Sequence, residues 1–559
     1  MKHRIERLPG TVPFAPGWGR TRVHRATAIF LIACFSATLL AVPLIDFWEG
    51  RWKRAVEVAR GIPGALGQLE QSSSSSPWDQ ALGLNRTIHD AMQEFETALE
   101  DDSILAETVR PYFLSALLQV GRAGSEEAYV GRDDWLFFRP DVDALLVNAL
   151  SEKLVGADAA NPAKVMAQFA ADLAERGIEL VLLPLPGKAA IHPEKLAGSA
   201  FNQPLVPPGY EAWKSEFLAA WREEVETRQL GGAAAPQLVE ATHLLWQEKL
   251  ATGEAQFLRT DSHWTPKAMS RIAGLVAGVI ETSGKLQSPP VKMPVRRETV
   301  DGIGDTARML NLPDNSPFLR SQQIELDVPV ERIDAGSASA PVVLLGDSYT
   351  NIFSMPELGW GGGAGLAETL ARELGVPVER LARNDGGAQA GRQMLAGRMA
   401  ADPTWIDGKQ VVVWQFAVRE LALGHWEPVA LPDGRVVRET DDRFLLLPPG
   451  EARTVEATIA SMGEVPRPGS TPYADFLTAM HLTGIEGRPE ATEAIVYVFT
   501  MRGHKATEAA GLRPGAKVQL ELTHWNENEL GALNRGELED LELALESPNF
   551  ASWMRSVEK

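Results

Sequence analysis

The stretch Pro341-Val342-Val343-Leu344-Leu345-Gly346-Asp347-Ser348-Tyr349-Thr350 limits what this chain can fold into more than any other. It is apolar, rich in β-branched residues and ends abruptly in Gly-Asp-Ser. That is the pattern of a strand covered on both faces of a parallel sheet, delivering a serine to its carboxyl edge. Open α/β sheets bind ligands at that edge, in the crevice between the loops leaving the strand tips, so Ser348 is a candidate nucleophile. Gly-Asp-Ser is also ordinary turn chemistry, and alone it decides nothing.

Asp261-Ser262-His263-Trp264-Thr265-Pro266 supplies what a serine needs. The hydroxyl must lose its proton as it attacks. His263 can take that proton, and Asp261 can fix the imidazole tautomer and stabilise the imidazolium. Thr265 followed by Pro266 reads as a helix cap with proline at the first helical position. His263 would then sit beside a helix N-terminus, whose dipole favours the neutral base. Taken alone, the same block also fits His263 and Trp264 packing at a helix start, with Asp261 in a local turn.

Strands and helices alternate through residues 125–425, as a parallel sheet flanked by helices requires. A helix over 163–176 precedes a strand over 179–184, a helix over 366–374 precedes a strand over 376–381, and Val411-Val412-Val413-Trp414-Gln415-Phe416 completes the set. Arg419-Glu420 reads as a structural ion pair.

Composition excludes some functions. A net charge of -20 with no basic run argues against nucleic acid. The 10 histidines are scattered and the single cysteine, Cys34, has no pair, so no zinc motif is present and no metal or cofactor is expected. The glycines at 361–365 lack the lysine and preceding strand of a phosphate loop and read as a turn before a helix.

Gly346-Asp347-Ser348 preceded by Asp261-Ser262-His263-Trp264 resembles the alginate O-acetyltransferases of the AlgJ/AlgX type, an SGNH-hydrolase-like group in which the Asp/His block comes before the serine. Gly131-Arg132-Asp133-Asp134-Trp135-Leu136-Phe137-Phe138, Pro184-Leu185-Pro186-Gly187-Lys188 with His192-Pro193-Glu194, Ala364-Gly365-Leu366-Ala367, and Trp414-Gln415-Phe416 running to Arg419-Glu420-Leu421 support the resemblance, which covers roughly 125–425. It implies an SGNH-like catalytic domain. It also implies an O-acetyltransferase that modifies an exopolysaccharide through an acetyl-serine intermediate, with the acetyl group supplied by a membrane-bound O-acyltransferase.

The oxyanion donors are expected at the amide of Ser348 and in Asn384-Asp385-Gly386-Gly387, where SGNH proteins carry a glycine block. Asn384 would offer a side chain and Gly387 an amide, although a plain turn fits equally. Trp414 and Gln415 either line the sugar site at a strand tip or belong to the core.

Residues 26–45 form a charge-free apolar run preceded by Arg20, Arg22 and Arg25, which predicts one membrane helix with residues 1–25 cytoplasmic and the body outside; a cleaved signal peptide is the alternative, but no clear A-x-A-like site follows Ile45, and the resemblance implies a bacterial inner membrane with the body periplasmic. Cys34 would lie within it as an apolar filler. Residues 46–124 read as a helical spacer, broken by a linker around Ser72–Ser76, with Ile88, Met92, Phe95 and Leu99 as a packing face. Residues 426–559 change to short strand-like runs over 436–447, 454–461, 477–485, 494–501, 517–522 and 541–544. Such spacing suits a β-rich barrel or sandwich and loosely resembles an OB-like barrel, and the AlgX-type resemblance implies a carbohydrate-binding module there, with a scaffold or partner-docking module as the alternative. Two alternatives to a transferase remain: a carbohydrate acetyl esterase with the same triad, or a catalytically silent polysaccharide-binding scaffold.

Overall fold

The computed structural model describes residues 25–52 and most of 103–556. Residues 1–24, nearly all of 53–102, 557–559 and shorter stretches, chiefly 156–160, 287–293, 331–338, 433–442, 486–490 and much of 526–547, lie outside the described set. The chain divides into two units, Met1–Phe113 and Leu114–Lys559.

In the first unit Arg25–Trp48 is helical. Its described side chains include Ile29, Phe30, Leu31, Ile32 and Phe35, all exposed. Asp46 is buried and its Oδ1 accepts from the Ile104 N–H at 2.9 Å. Among the described residues no helix is long and apolar enough to cross a membrane, so the expected anchor over 26–45 is not found there. The side chain of Cys34, the Ser72–Ser76 linker and most of the spacer lie outside the described residues.

The second unit is built on a parallel sheet of five strands: β3 (Glu179–Leu185), β4 (Gln237–Leu238), β7 (Val342–Gly346), β8 (Val378–Ala382) and β9 (Val411–Ala417). Their order is β4-β3-β9-β7-β8. The last strand in sequence thus inserts between β3 and β7, and the sheet changes direction there. Side chains alternate cleanly across it. Val342 and Leu344 of β7, with Val411 and Val413 of β9, join one apolar core; Val343 and Leu345, with Val412, Trp414 and Phe416, join the other. Continuous apolar strands are the signature of burial on both faces.

The first core is covered by the helices Ala241–Thr252, Pro266–Ser283 and Leu366–Leu374, the second by Pro162–Glu175, Tyr210–Thr227 and Gly387–Ala401. Register aligns the strand ends: Gly346 pairs with Ala382, and Leu345 with Trp414. Between the helix Pro266–Ser283 and β7 the chain makes an antiparallel excursion, β5 (Val295–Gly302) and β6 (Gln322–Pro329). Upstream, the short pair β1 (Ala128–Val130) and β2 (Leu136–Phe138) is also antiparallel.

The C-terminal part is a closed barrel. Strands β10 (Ala452–Met462), β11 (Phe476–Thr483), β12 (Glu493–Arg502), β14 (Lys517–His524) and β16 (Asn549–Ser556) pair in the ring β10-β11-β12-β16-β14-β10, with β12 and β16 parallel and the other pairs antiparallel. The short strands β13 (Lys505–Ala506) and β15 (Arg535–Gly536) flank it. Val455, Ala457 and Ile459 meet Val496, Val498, Leu520 and Leu522 inside. Closure removes exposed strand edges, and of the barrel or sandwich expected from strand spacing the chain forms the barrel. The expected runs over 436–447 and 541–544 fall largely outside the described residues, whereas β16 was not anticipated.

Candidate active site

Strand β7 ends at Gly346, where a Cβ would fall on Thr350 Oγ1 and lie 2.8 Å from Gln415 Oε1. Only glycine fits so tight an exit from the strand. The chain then turns through Asp347, whose Oδ1 accepts the Tyr349 N–H at 2.9 Å, into the single turn Ser348–Asn351. From beneath, Gln415 Oε1 accepts the Asp347 N–H at 3.1 Å and the Thr350 hydroxyl at 2.9 Å. Ser348 is thereby held at the carboxyl edge of the sheet, where the strand order changes direction.

His263 arrives from the loop before the helix Pro266–Ser283. Thr265 caps that helix through Ala268 N, and Pro266 stands at its first position, as the sequence predicts. His263 Nε2 lies 2.8 Å from Ser348 Oγ, and its Nδ1 lies 2.7 Å from Asp261 Oδ1. Asp261 is fully buried and each of its oxygens takes two donors. Oδ1 accepts from the N–H of His263 at 2.9 Å as well as from Nδ1; Oδ2 accepts Trp360 Nε1–H at 2.7 Å and the Asp305 N–H at 2.9 Å. Tyr349 stacks at a tilt on the His263 ring, 4.7 Å between centroids, and its hydroxyl donates to Ser262 O at 3.1 Å.

These contacts set the charges. Burial pushes the Asp261 carboxyl up, but the His263 cation and the converging donors outweigh it and hold the group down at about 2. Burial depresses the His263 imidazolium, yet the Asp261 charge and hydrogen bond raise it above its ordinary value. Asp347 is raised by burial, against the pull of Arg419. Lys188 is buried, donates to Leu136 O at 2.6 Å and Arg259 O at 3.2 Å, and is pushed down by desolvation to about 8 despite Asp261, Asp305 and Asp141 nearby.

Asp261, His263 and Asp305 each offer a ligand atom within 4.8 Å of the others. Asp261 and His263 already use their ligand atoms in the hydrogen bonds just described, and the Asp305 carboxylate accepts from Ser262 and Thr306, so an ion there would displace the bonds that aim the imidazole.

The weaker expectations divide. Asn384 is buried beside the serine turn: its Oδ1 accepts Asn351 Nδ2–H at 2.9 Å, which leaves its NH2 as the donor end. The Ser348 N–H has no hydrogen-bond partner among the described residues. Gly387 sits against Glu420. It begins the helix Gly387–Ala401 at φ 53°, and a Cβ there would meet the Glu420 carboxylate at 2.5 Å.

Trp414 is a correction. It is 1% exposed, packed against Phe169, Phe416 and Trp426 on the far face of the sheet, and cannot be a sugar platform. Gln415 is fully buried and holds the serine turn rather than lining a groove. Arg419 pairs with Glu420 as expected, at 3.2 Å, and also with Asp141 at 2.9 Å. Asp305, Trp360, Tyr349 and Lys188 escaped sequence reasoning. Tyr349 and Lys188 lie inside stretches that were singled out, but nothing in the local pattern marks Asp305 or Trp360.

The profile of the family described as SGNH hydrolase-like domain, acetyltransferase AlgX, matches residues 128–418, just over half of the chain. The probable alginate O-acetylase AlgJ of Pseudomonas syringae pv. tomato is 25% identical over 344 residues, 59% of this chain and 78% of that protein. The protein of the same name from Azotobacter vinelandii is 27% identical over 243 residues, 41% and 55% respectively. The solved O-acetyltransferase domain of Pseudomonas putida AlgJ aligns with a TM-score of 0.39 at 22% identity, over 53% of this chain and 92% of that domain. With the family profile spanning the five-stranded sheet and both sequence blocks, the chain belongs to the SGNH hydrolase-like acetyltransferase family of the AlgX type.

Proposed function

We propose that this acetyltransferase moves an acetyl group to a hydroxyl of an exopolysaccharide, alginate or a related acidic polymer, by way of an acetyl-serine at Ser348. The observation that carries the reading is the unbroken line Asp261–His263–Ser348, with separations of 2.7 and 2.8 Å. Because Asp261 is ionised above about pH 2, Nδ1 of neutral His263 carries the hydrogen and Nε2 presents its lone pair to the Ser348 hydroxyl. Ser348 Oγ attacks the donor's acetyl carbonyl while its proton passes to Nε2. The carbonyl oxygen becomes an oxyanion facing the Ser348 N–H and the Asn384 amide. The donor's leaving group then departs with the proton from His263. In the second half a sugar hydroxyl loses its proton to His263 and attacks the acetyl-serine, which releases the acetyl ester and restores the Ser348 hydroxyl.

The donor side of the reading is a membrane-bound O-acyltransferase, and the setting is the periplasmic face of an inner membrane. What supports the setting is sequence: the charge-free run 26–45 behind Arg20, Arg22 and Arg25. The exposed apolar side chains of the helix Arg25–Trp48 agree with it. A mature protein whose N-terminus begins just after Ile45, with a soluble body, would remove the anchor from this picture. The barrel formed by β10–β16 is assigned to polymer binding or partner docking.

The deciding experiment incubates the protein with an activated acetyl ester and an unacetylated oligosaccharide and weighs the sugar by mass spectrometry. Transfer should outrun release of acetate, because a bound hydroxyl held at attack distance has an effective concentration far above its bulk value. Removal of acetyl from acetylated oligomers, with no gain on bare ones across several sugar classes, would make the protein an esterase. Ser348→Ala and His263→Ala should each lower turnover on the order of 10³-fold or more while leaving the fold intact.

A further inference from the structure

We propose that Asp305 is a second carboxylate for the His263 imidazole, a positioning residue that shares the Nδ1 side of the ring with Asp261 and sustains part of the reaction when Asp261 is lost. The proposal rests on the triad reading above. Its own ground is a second arrangement of bonds around the same nitrogen. Asp261 Oδ1 stands 2.7 Å from Nδ1, and Asp305 Oδ2 stands 3.5 Å from it. Between them, Ser262 Oγ lies 3.2 Å from Nδ1 and donates a short hydrogen bond to Asp305 Oδ2. Nδ1 therefore faces one carboxylate directly and reaches the other through a hydroxyl.

Asp305 is built into this place. Its Oδ1 accepts the N–H groups of Ser262 at 2.6 Å and Thr306 at 2.5 Å and the Thr306 hydroxyl at 2.8 Å, and its own N–H donates to Asp261 Oδ2 at 2.9 Å. Gly304, just before it, permits the approach, since a Cβ there would fall on Thr260 O and lie 2.5 Å from Asp261 N. Bringing two carboxylates together at a buried site is costly, because their charges repel in a medium that screens poorly. Burial and the Asp261 charge accordingly hold the Asp305 carboxyl above its ordinary value.

Holding the loop alone would not require that cost. An asparagine at 305 would keep the Oδ1 acceptor for Ser262, Thr306 N and Thr306 Oγ1, and its NH2 would meet the Ser262 hydroxyl as a donor. What an asparagine lacks is the second negative oxygen toward Nδ1. The groups that face the imidazole are Asp261 in its own loop, Asp305 from the connection after β5, and Asp347 beside the nucleophile. The charges of Asp261 and Asp305 also act on Lys188.

Asp305→Asn is therefore the informative change, made in the full chain alone and together with Asp261→Asn, with folding checked by circular dichroism. With an activated acetyl ester, Asp305→Asn should lower kcat by about 3–10-fold in the native background and by on the order of 10²-fold in the Asp261→Asn background, a non-additive cycle. In the single variant the acid limb of the pH–rate profile should move to lower pH, because the imidazolium loses a stabilising anion; a loop-holding role would leave that limb where it is. Equal factors in both backgrounds, or an unmoved limb, overturn the proposal. If the asparagine variants do not fold, Asp305→Ser and Asp261→Ser replace them under the same criteria. Ser348→Ala and His263→Ala run alongside: activity surviving in those would defeat the triad and this proposal with it, whereas their loss beside an additive cycle defeats the role of Asp305 alone.

Discussion

Replacing Trp360 with phenylalanine tests how the buried carboxylate is held. Trp360 is fully buried, and its Nε1–H donates to Asp261 Oδ2 at 2.7 Å, one of the four hydrogen bonds to that carboxylate. A hydrogen bond to a charged group contributes about 1.5–3 kcal/mol, and both partners here are fully buried. The smaller ring also leaves a void in a tight place, because a Cβ on Gly302 would already be 2.6 Å from the indole. That void should cost about 1 kcal/mol more, a fraction of the 3–5 kcal/mol for truncating a large aromatic to alanine. Urea unfolding of the folded protein should thus show a loss of about 2.5–4 kcal/mol. The second consequence concerns the reaction. With one donor gone, the Asp261 carboxyl rises from about 2 and pulls harder on the proton at Nδ1, so the His263 imidazolium persists to higher pH. The acid limb of the acetyl-ester pH profile should shift upward. A variant within about 0.5 kcal/mol of the native protein, with the limb unmoved, would refute the view that Trp360 holds the charge of Asp261.

Three further expectations follow from the same geometry. In the proposed reaction His263 is a neutral base, and its imidazolium is raised above the ordinary 6.5, so the rate should climb with pH through a midpoint above that value; a midpoint well below it in a kcat profile would contradict the proposed role. Lys188→Met removes the Lys188 donor from Leu136 O and leaves Arg259 O with the Leu136 N–H alone, and chemical unfolding should register a loss of about 2 kcal/mol or more, with unchanged stability counting against the clamp. Gln415→Leu deprives the Asp347 N–H and the Thr350 hydroxyl of their acceptor, so kcat should fall more than KM rises; a change confined to KM would return Gln415 to the substrate groove.

Much of this was legible in the sequence for a physical reason: it is local. The strand ending in Gly346-Asp347-Ser348, the helix cap at Thr265-Pro266 and the helix Leu366–Leu374 each show in a window of a few residues, where apolar period and turn chemistry agree. The strand containing Trp414 and Gln415 was legible as a strand, but its two polar-tipped residues were ambiguous because period 2 assigns alternate residues to opposite faces without saying which face holds the site. Parity with Val412 and Phe416 put Trp414 in the far core, and Gln415 fell on the side of the serine turn. Strand β16 went unread because Asn549-Phe550-Ala551-Ser552-Trp553-Met554-Arg555-Ser556 alternates weakly and pairs with strands far away in the chain. Gly387 shows the limit of local pattern: the Glu420 carboxylate that lies against it comes from a distant helix.

The buried carboxylate explains why the site is harder to read than its motifs suggest. Asp261 takes its four donors from three separate connections: its own loop, the turn after β5 that carries Asp305, and the loop after β7 that carries Trp360. No pair of them is close in sequence except His263. Each donor lowers the energy of the ionised form, and together they leave the carboxylate nowhere to rotate, so the imidazole is aimed before any substrate binds. Such preorganisation needs the β5–β6 excursion to return its chain to Asp261, which gives an otherwise peripheral hairpin a part in the proposed chemistry. The same network explains the position of Ser262: a residue whose only apparent task is to separate Asp261 from His263 has its N–H and hydroxyl bound to Asp305, so the Asp-Ser-His segment is fixed at all three side chains. An isolated Asp-x-His motif elsewhere in a chain, without donors converging from other loops, would have the right residues but not a fixed base.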